Sequence, residues 1–243
     1  MDALRVFWNV APYVTIGVFS VAIWWRYTYD KFGWTSRSSQ LYESRLLRIG
    51  SPMFHYGSFV VIAGHIMGLF IPQSWTEWFG MSDHMYHLQA LILGLPAGLA
   101  TVIGLGFLIY RRRLQRSVFL ATTVNDKLMY VVLVSALIAG MACTLMGATN
   151  YGAAHDYRNS VAVWFRSIWY LDPRGDMMAA APMYYQVHVL IALMLFVLWP
   201  FTRLVHAFSA PIWYLFRPYI VYRSRDAATK GRPLPTPQRR GGW

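Results

Sequence analysis

The chain has 243 residues, 56% of them hydrophobic and 17% aromatic, with only 13% charged and a formal net charge of +12. Soluble domains carry about 25% charged residues, so this composition excludes an ordinary water-soluble domain and points to an all-α integral membrane protein. The positive charge lies in the connections between apolar runs, which argues against a nucleic-acid partner, and a lone cysteine, Cys143, excludes a disulfide framework or a thiolate metal cluster.

In chain order, the first apolar run, Val10 to Trp25, reads as a retained span rather than a cleaved signal. Pro12 fits the first turn of its helix. The second run, Pro52 to Ile71, is twenty residues without Asp, Glu, Lys or Arg, which is the length a helix needs to cross a bilayer. Pro52 again stands at its start. A short connection, Pro72 to His87, holds His84 and His87 but no Lys or Arg. The third span runs from Leu88 to Tyr110; Pro96 is expected to kink it, and Gly94, Gly98, Gly104 and Gly106 to permit close packing. The fourth runs from Leu128 to Ala148, with Asn125 or Asp126 expected as N-cap. The aromatic piece Val161 to Leu171 is too short to span and reads as a helix lying at the membrane surface. The fifth span covers Tyr184 to Phe208. Residues 1–225 form the membrane domain, and 226–243 form a basic, Pro-rich tail.

Five spans place the termini on opposite sides. Eighteen of the 22 Lys and Arg fall in the first loop, the third connection and the segment from Arg203 onward. The positive-inside rule makes that side cytoplasmic and puts the N-terminus outside.

Ionisable side chains within a span are costly and mark functional sites. Here they are histidines: His55 and His65 on the second span, His188 and His206 on the fifth. The two spans run in opposite directions, so His55 matches His206 near the cytoplasm, and His65 matches His188 toward the outer face. Facing pairs of neutral imidazoles suit axial ligation of haem iron. Arg203, Arg112 and its neighbours lie on the cytoplasmic side, where haem propionates would need cations. The spacing fits less well. His188 and His206 are 18 residues apart, roughly 27 Å of helix, whereas His55 and His65 are 10 apart, roughly 15 Å. Tilt or a kink at Pro200 would have to reconcile them. The bland alternative makes each histidine a hydrogen-bonded packing residue, and His155 reads as an ordinary loop histidine. A rival function is a haem-free transporter or proton relay, or a structural membrane anchor. Against a relay, all ten Asp and Glu lie outside the proposed spans, and no inverted repeat is evident.

Several segments together resemble the gamma, cytochrome b subunit of membrane-bound respiratory nitrate reductase: FHYG and AGHIMG in the second span, RRRL followed by ATT after the third, and VHVLIALMLFVLWPFTRLVHAFSAPIWYL at the end. The resemblance runs from about Ala11 to Arg225. It implies a multi-pass bacterial inner (plasma) membrane protein with two haems b, the proximal held by His55 and His206 and the distal by His65 and His188. It implies oxidation of a quinol, menaquinol by preference, in a pocket around Gly64 and His65 near the outer surface. Electrons would pass to an iron–sulfur beta subunit and a molybdenum-containing alpha subunit in the cytoplasm, so this chain alone would not reduce nitrate. Family members place a lysine after the second span. This sequence has Met85 near that place, so His84 or His87 is expected to take over the hydrogen bond to the quinol.

Overall fold

The computed structural model describes residues 2–34, 38–149, 156–209 and 216. The chain divides into two units, residues 1–209 and 210–243, and every described helix belongs to the first. His155, most of the SAPIWYL segment and the Pro-rich tail lie outside the described residues.

Nine α-helices occur among the described residues: α1 (Asp2–Tyr29), α2 (Arg45–Phe70), α3 (Gln73–Trp78), α4 (Asp83–Leu114), α5 (Arg116–Leu120), α6 (Val124–Thr149), α7 (Val161–Trp169), α8 (Gly175–Ala179) and α9 (Met183–Leu198). No strand is found among those residues. Helices α1, α2, α4, α6 and the α9 stretch through Phe201 are long and apolar enough to cross a membrane. They answer to the five expected spans, but each of the first four extends beyond its apolar run. Hydropathy marks the part that meets lipid, whereas the backbone ladder continues through polar first and last turns. Pro12 and Pro52 therefore sit inside α1 and α2 rather than at their starts. Similarly, His84 and His87 belong to the first turns of α4, not to a connection. The start of α6 also differs from expectation. Thr123 is the capping residue: its Oγ1 accepts from the Asp126 amide at 3.2 Å, and the Asp126 carboxylate accepts from the Thr123 amide at 3.1 Å. That reciprocal pair is a capping box with Asp in the role usually taken by Glu.

Small residues set the closest helix pair. Helix α2 lies on α4 along Gly50 and Gly57 of one and Thr101 and Gly104 of the other. A Cβ on Gly104 would fall 2.9 Å from Phe54 Cα, so only glycine admits this approach. Gly98 makes room for Met141 of α6, but Gly94 and Gly106 face open space and take no part in packing.

The two ends of the bundle are closed differently. At the end where α2 finishes, α7 and α8 fold under the bundle and form its main apolar core, with Trp8, Trp164, Ile168 and Met178 buried. Trp164 donates to the Trp8 carbonyl at 3.0 Å and Tyr13 to the Ile168 carbonyl at 2.9 Å. Helix α7 thus has a protein partner for its aromatic face, Trp8 on α1. At the opposite end, polar clamps replace the apolar core. Arg111, 1% exposed, donates to Ser39 and to both the backbone and the carboxylate of Glu43, the last at 2.5 Å. Burial raises the Glu43 pKa, but hydrogen bonds from the Leu46 amide and from Arg111 outweigh it and hold the carboxyl below its usual range.

The fifth span breaks rather than kinks. Helix α9 stops at Leu198, and a 3₁₀ turn, Trp199–Phe201, contains Pro200. Thr202 is then extended, and a second 3₁₀ segment covers Arg203–Ser209. Proline has no N–H for the helical ladder, so the break leaves carbonyls without helical donors. Arg26 of α1, 4% exposed, supplies some of them by donating to the carbonyls of Pro200 and Thr202. After the break the chain turns back beside α9. The Phe208 ring lies 6.2 Å from Trp199 and 5.9 Å from Phe19, and Phe19 also touches Phe196.

Candidate functional site: two histidine pairs

The break resolves the unequal spacing. From His188 to Leu198 is ten residues of regular helix, the same length as His55 to His65 on α2. The next eight residues do not continue down the axis, so His206 returns to the level of His55. The structure brings together both expected pairs. Ring centres of His55 and His206 are 6.0 Å apart, and those of His65 and His188 are 6.1 Å apart.

Three of the four rings are fixed through Nδ1. His55 Nδ1 is 2.7 Å from the Ser51 carbonyl, His65 Nδ1 is 2.8 Å from the Val61 carbonyl, and His206 Nδ1 is 2.6 Å from the Arg203 carbonyl. A carbonyl only accepts, so Nδ1 carries the proton in each, and Nε2 on the far edge of the ring keeps its lone pair. This is the orientation that outer hydrogen bonds give to metal-ligating histidines. His188 differs: its buried Nδ1 makes no hydrogen bond, and its ring leans on Gly140 of α6, where a Cβ would come within 3.0 Å of Cε1.

The separations fit a shared metal. A metal–imidazole bond is about 2.0–2.1 Å, and nitrogen sits about 1 Å from the ring centre, so two rings on one metal have centres about 6 Å apart. No cluster of three or more His, Cys, Asp and Glu forms a metal site among the described residues, so pairs are what these residues offer a metal. There is also room between the helices. Helix α2 packs on α4 and α9 on α6, but α2 and α9 are not a close-packed pair. Helix α9 has no buried residue, α2 buries only three glycines, and the space around Gly64 is open beside an exposed His65.

The other expected site residues lie around these pairs. His84 is exposed and His87 half-buried at the same end as His65, and Tyr86 between them packs its hydroxyl over Gly68, one turn beyond His65. Arg112 donates to the Tyr130 hydroxyl at 2.8 Å and to Thr122 at 2.9 Å. Arg203 is engaged by Asp126, Nη2 to Oδ2 at 2.6 Å and Nε to Oδ1 at 3.0 Å. Sequence reasoning missed the part that Arg26 and Asp126 play in holding the segment that carries His206. Arg26 at the end of an apolar run reads first as a topological mark, and Asp126 as a helix cap.

Helix length, composition and geometry together therefore define a multi-pass helical membrane protein with one histidine pair toward each end of its apolar bundle. A family model described as nitrate reductase gamma subunit matches residues 4–225. A nitrate reductase gamma chain of Bacillus subtilis is 40% identical over 222 residues, 91% of this chain and 99% of that protein. The respiratory nitrate reductase 2 gamma chain of Escherichia coli is 30% identical over 220 residues, 90% of this chain and 96% of that protein. The nitrate reductase-like protein NarX of Mycobacterium tuberculosis is 63% identical over 239 residues, which make up 98% of this chain but 36% of that protein; the chain thus spans about a third of that relative. The chain belongs to the nitrate reductase gamma subunit family, and it is a multi-pass bacterial membrane protein.

Proposed function

We propose that this chain is the quinol-oxidising subunit of a respiratory nitrate reductase. Its N-terminus faces outward and its C-terminus the cytoplasm. His65 and His188 hold a haem b near the outer face, and His55 and His206 hold a second near the cytoplasm. The two matched imidazole pairs, 6.0 and 6.1 Å between ring centres, carry this reading. Bound haem would supply reversible one-electron iron chemistry at each pair.

The chain's own residues supply position and dryness. Val61 and Ser51 carbonyls hold His65 and His55 in the tautomer that leaves Nε2 unprotonated. A menaquinol would dock beside the exposed Gly64 and His65. His84 or His87, in the first turns of α4, would accept a hydroxyl proton in the place of the family lysine. Oxidation of a quinol to a quinone releases two electrons and two protons, and the protons leave at this end. The electrons travel toward the His55 end. There the exposed Arg45, Arg48, Arg113 and Arg116 offer a basic face to an iron–sulfur partner, itself joined to a molybdenum subunit. Arg112 and Arg203 are the candidate cations for propionates, each shared with its protein partners, Tyr130 and Thr122 for the first and Asp126 for the second.

The test is an optical spectrum of the purified membrane complex. Dithionite reduction should give b-type bands with two haems for each copy of this chain, and menaquinol should reduce them. A colourless preparation from haem-replete cells would overturn the proposal and favour a haem-free relay or anchor.

A further inference from the structure

His206 differs from the other three histidines in what holds it. His55, His65 and His188 stand within regular α-helix, where the backbone ladder fixes each Cα. His206 stands on the 3₁₀ segment Arg203–Ser209, behind the extended Thr202, with no α-helical ladder connecting it to α9. Its ring is oriented through the 2.6 Å contact from Nδ1 to the Arg203 carbonyl.

Arg203 is in turn held by α6. Asp126 is 1% exposed and the Arg203 side chain 10% exposed. The guanidinium engages both carboxylate oxygens, at 2.6 and 3.0 Å. The same carboxylate accepts from the Thr123 amide, so it is fixed by the helix start it caps. Next to it, Asn125 Nδ2 reaches the Phe201 carbonyl at 3.4 Å. Two-point guanidinium–carboxylate contacts fix direction as well as distance.

We infer that Asp126 is a positioning residue for the histidine pair at this end: it anchors Arg203, whose carbonyl sets the orientation of His206. Arg203 is then first a strut between α6 and the ligand segment. The inference rests on the proposed reading of His55 and His206 as haem ligands.

The test uses the whole complex in membranes, with three variants of the full chain and a His65→Ala control. Asp126→Ala should alter one of the two haem signals in electron paramagnetic resonance and shift one of two midpoint potentials, or lower haem content from two towards one for each chain. The signal assigned to His65 and His188 by a His65→Ala control should stay as in the wild type. Asp126→Glu should restore the affected signal, since the longer carboxylate can still engage Arg203. Arg203→Lys, which keeps the carbonyl but loses the two-point contact, should reproduce the Asp126→Ala effect in weaker form. Unchanged spectra and potentials in a membrane-inserted Asp126→Ala chain would overturn the inference. So would equal disturbance of both haem signals in Asp126→Ala, which marks a general folding defect. Absence of haem from the wild type would instead overturn the proposed function, and this inference with it.

Discussion

The two ends of the bundle hold similar histidine pairs by different means. At the His65 end both histidine-bearing segments are regular helices, and the surrounding structure is an apolar core of Trp8, Trp164, Ile168 and Met178. At the His55 end one histidine rides on a broken helix, and the surroundings are charged clamps: Arg26 on carbonyls, Arg111 on Glu43, Arg203 on Asp126. One separation between rings can thus be set by helix regularity or by buried ion pairs. The two solutions should fail under different stresses.

The largest expected effect belongs to the apolar end. His65→Ala removes one member of the pair beside the open space at Gly64, so quinol-driven reduction of both haems should be lost while dithionite still reduces the remaining one. Intact quinol-driven reduction of both would refute the assignment of the two pairs. A smaller and more local effect is expected from Gly140→Ala. The new methyl would press on His188 Cε1 at 3.0 Å. The haem signal at that end should shift in electron paramagnetic resonance, with the His55 end unchanged. A shift at the His55 end instead would break the independence of the two ends.

The smallest effect separates the ends by pH. The Glu43 carboxyl is held below the ordinary carboxylate range when folded, by the Leu46 amide and Arg111 against the opposing effect of burial. A depressed pKa contributes stability that is present above the unfolded value and is lost as pH falls through the folded one. Acidification below about pH 4.3, the ordinary glutamate value, should therefore loosen the Arg111 clamp, seen as faster proteolysis of the loop before α2. Arg111→Ala, which removes one partner of a buried pair, should cost about 3 kcal/mol at neutral pH and flatten that acid sensitivity, measured by thermal unfolding of the detergent-solubilised complex. An unaltered acid profile in the variant would show that Glu43 is not the group responsible.

Much of this was legible in the sequence because histidines stand out in runs that lipid otherwise keeps apolar. His55, His65, His188 and His206 could be paired from span direction alone. What the sequence withheld was decided by partners far along the chain. Pro200 announced a disturbance, but whether it bends or ends the helix depends on a donor for the freed carbonyls, and that donor is Arg26, 174 residues from Pro200. The run Arg111 to Arg113 read as a topological mark, although Arg111 is among the most buried side chains in the molecule. The piece from Val161 to Leu171 had an aromatic face suited to lipid or protein, and Trp8 chose protein. Four glycines on α4 looked alike, yet Gly98 and Gly104 meet a neighbour and Gly94 and Gly106 do not.

The interruption after Leu198 has one more consequence, for tolerance to changes in chain length. Each α-helical residue advances the chain by about 1.5 Å and turns it by about 100°. One residue inserted between His55 and His65 would therefore swing one ring away from its partner. Between Leu198 and Arg203 no continuous ladder transmits such a turn, and the register of His206 is reset at Arg203 by a contact to a different helix. An insertion there would not turn His206 about a helix axis; it would be felt instead at the contacts of Arg26 with the Pro200 and Thr202 carbonyls. The molecule thus carries one segment that acts as a fixed ruler and one that acts as an adjustable coupling.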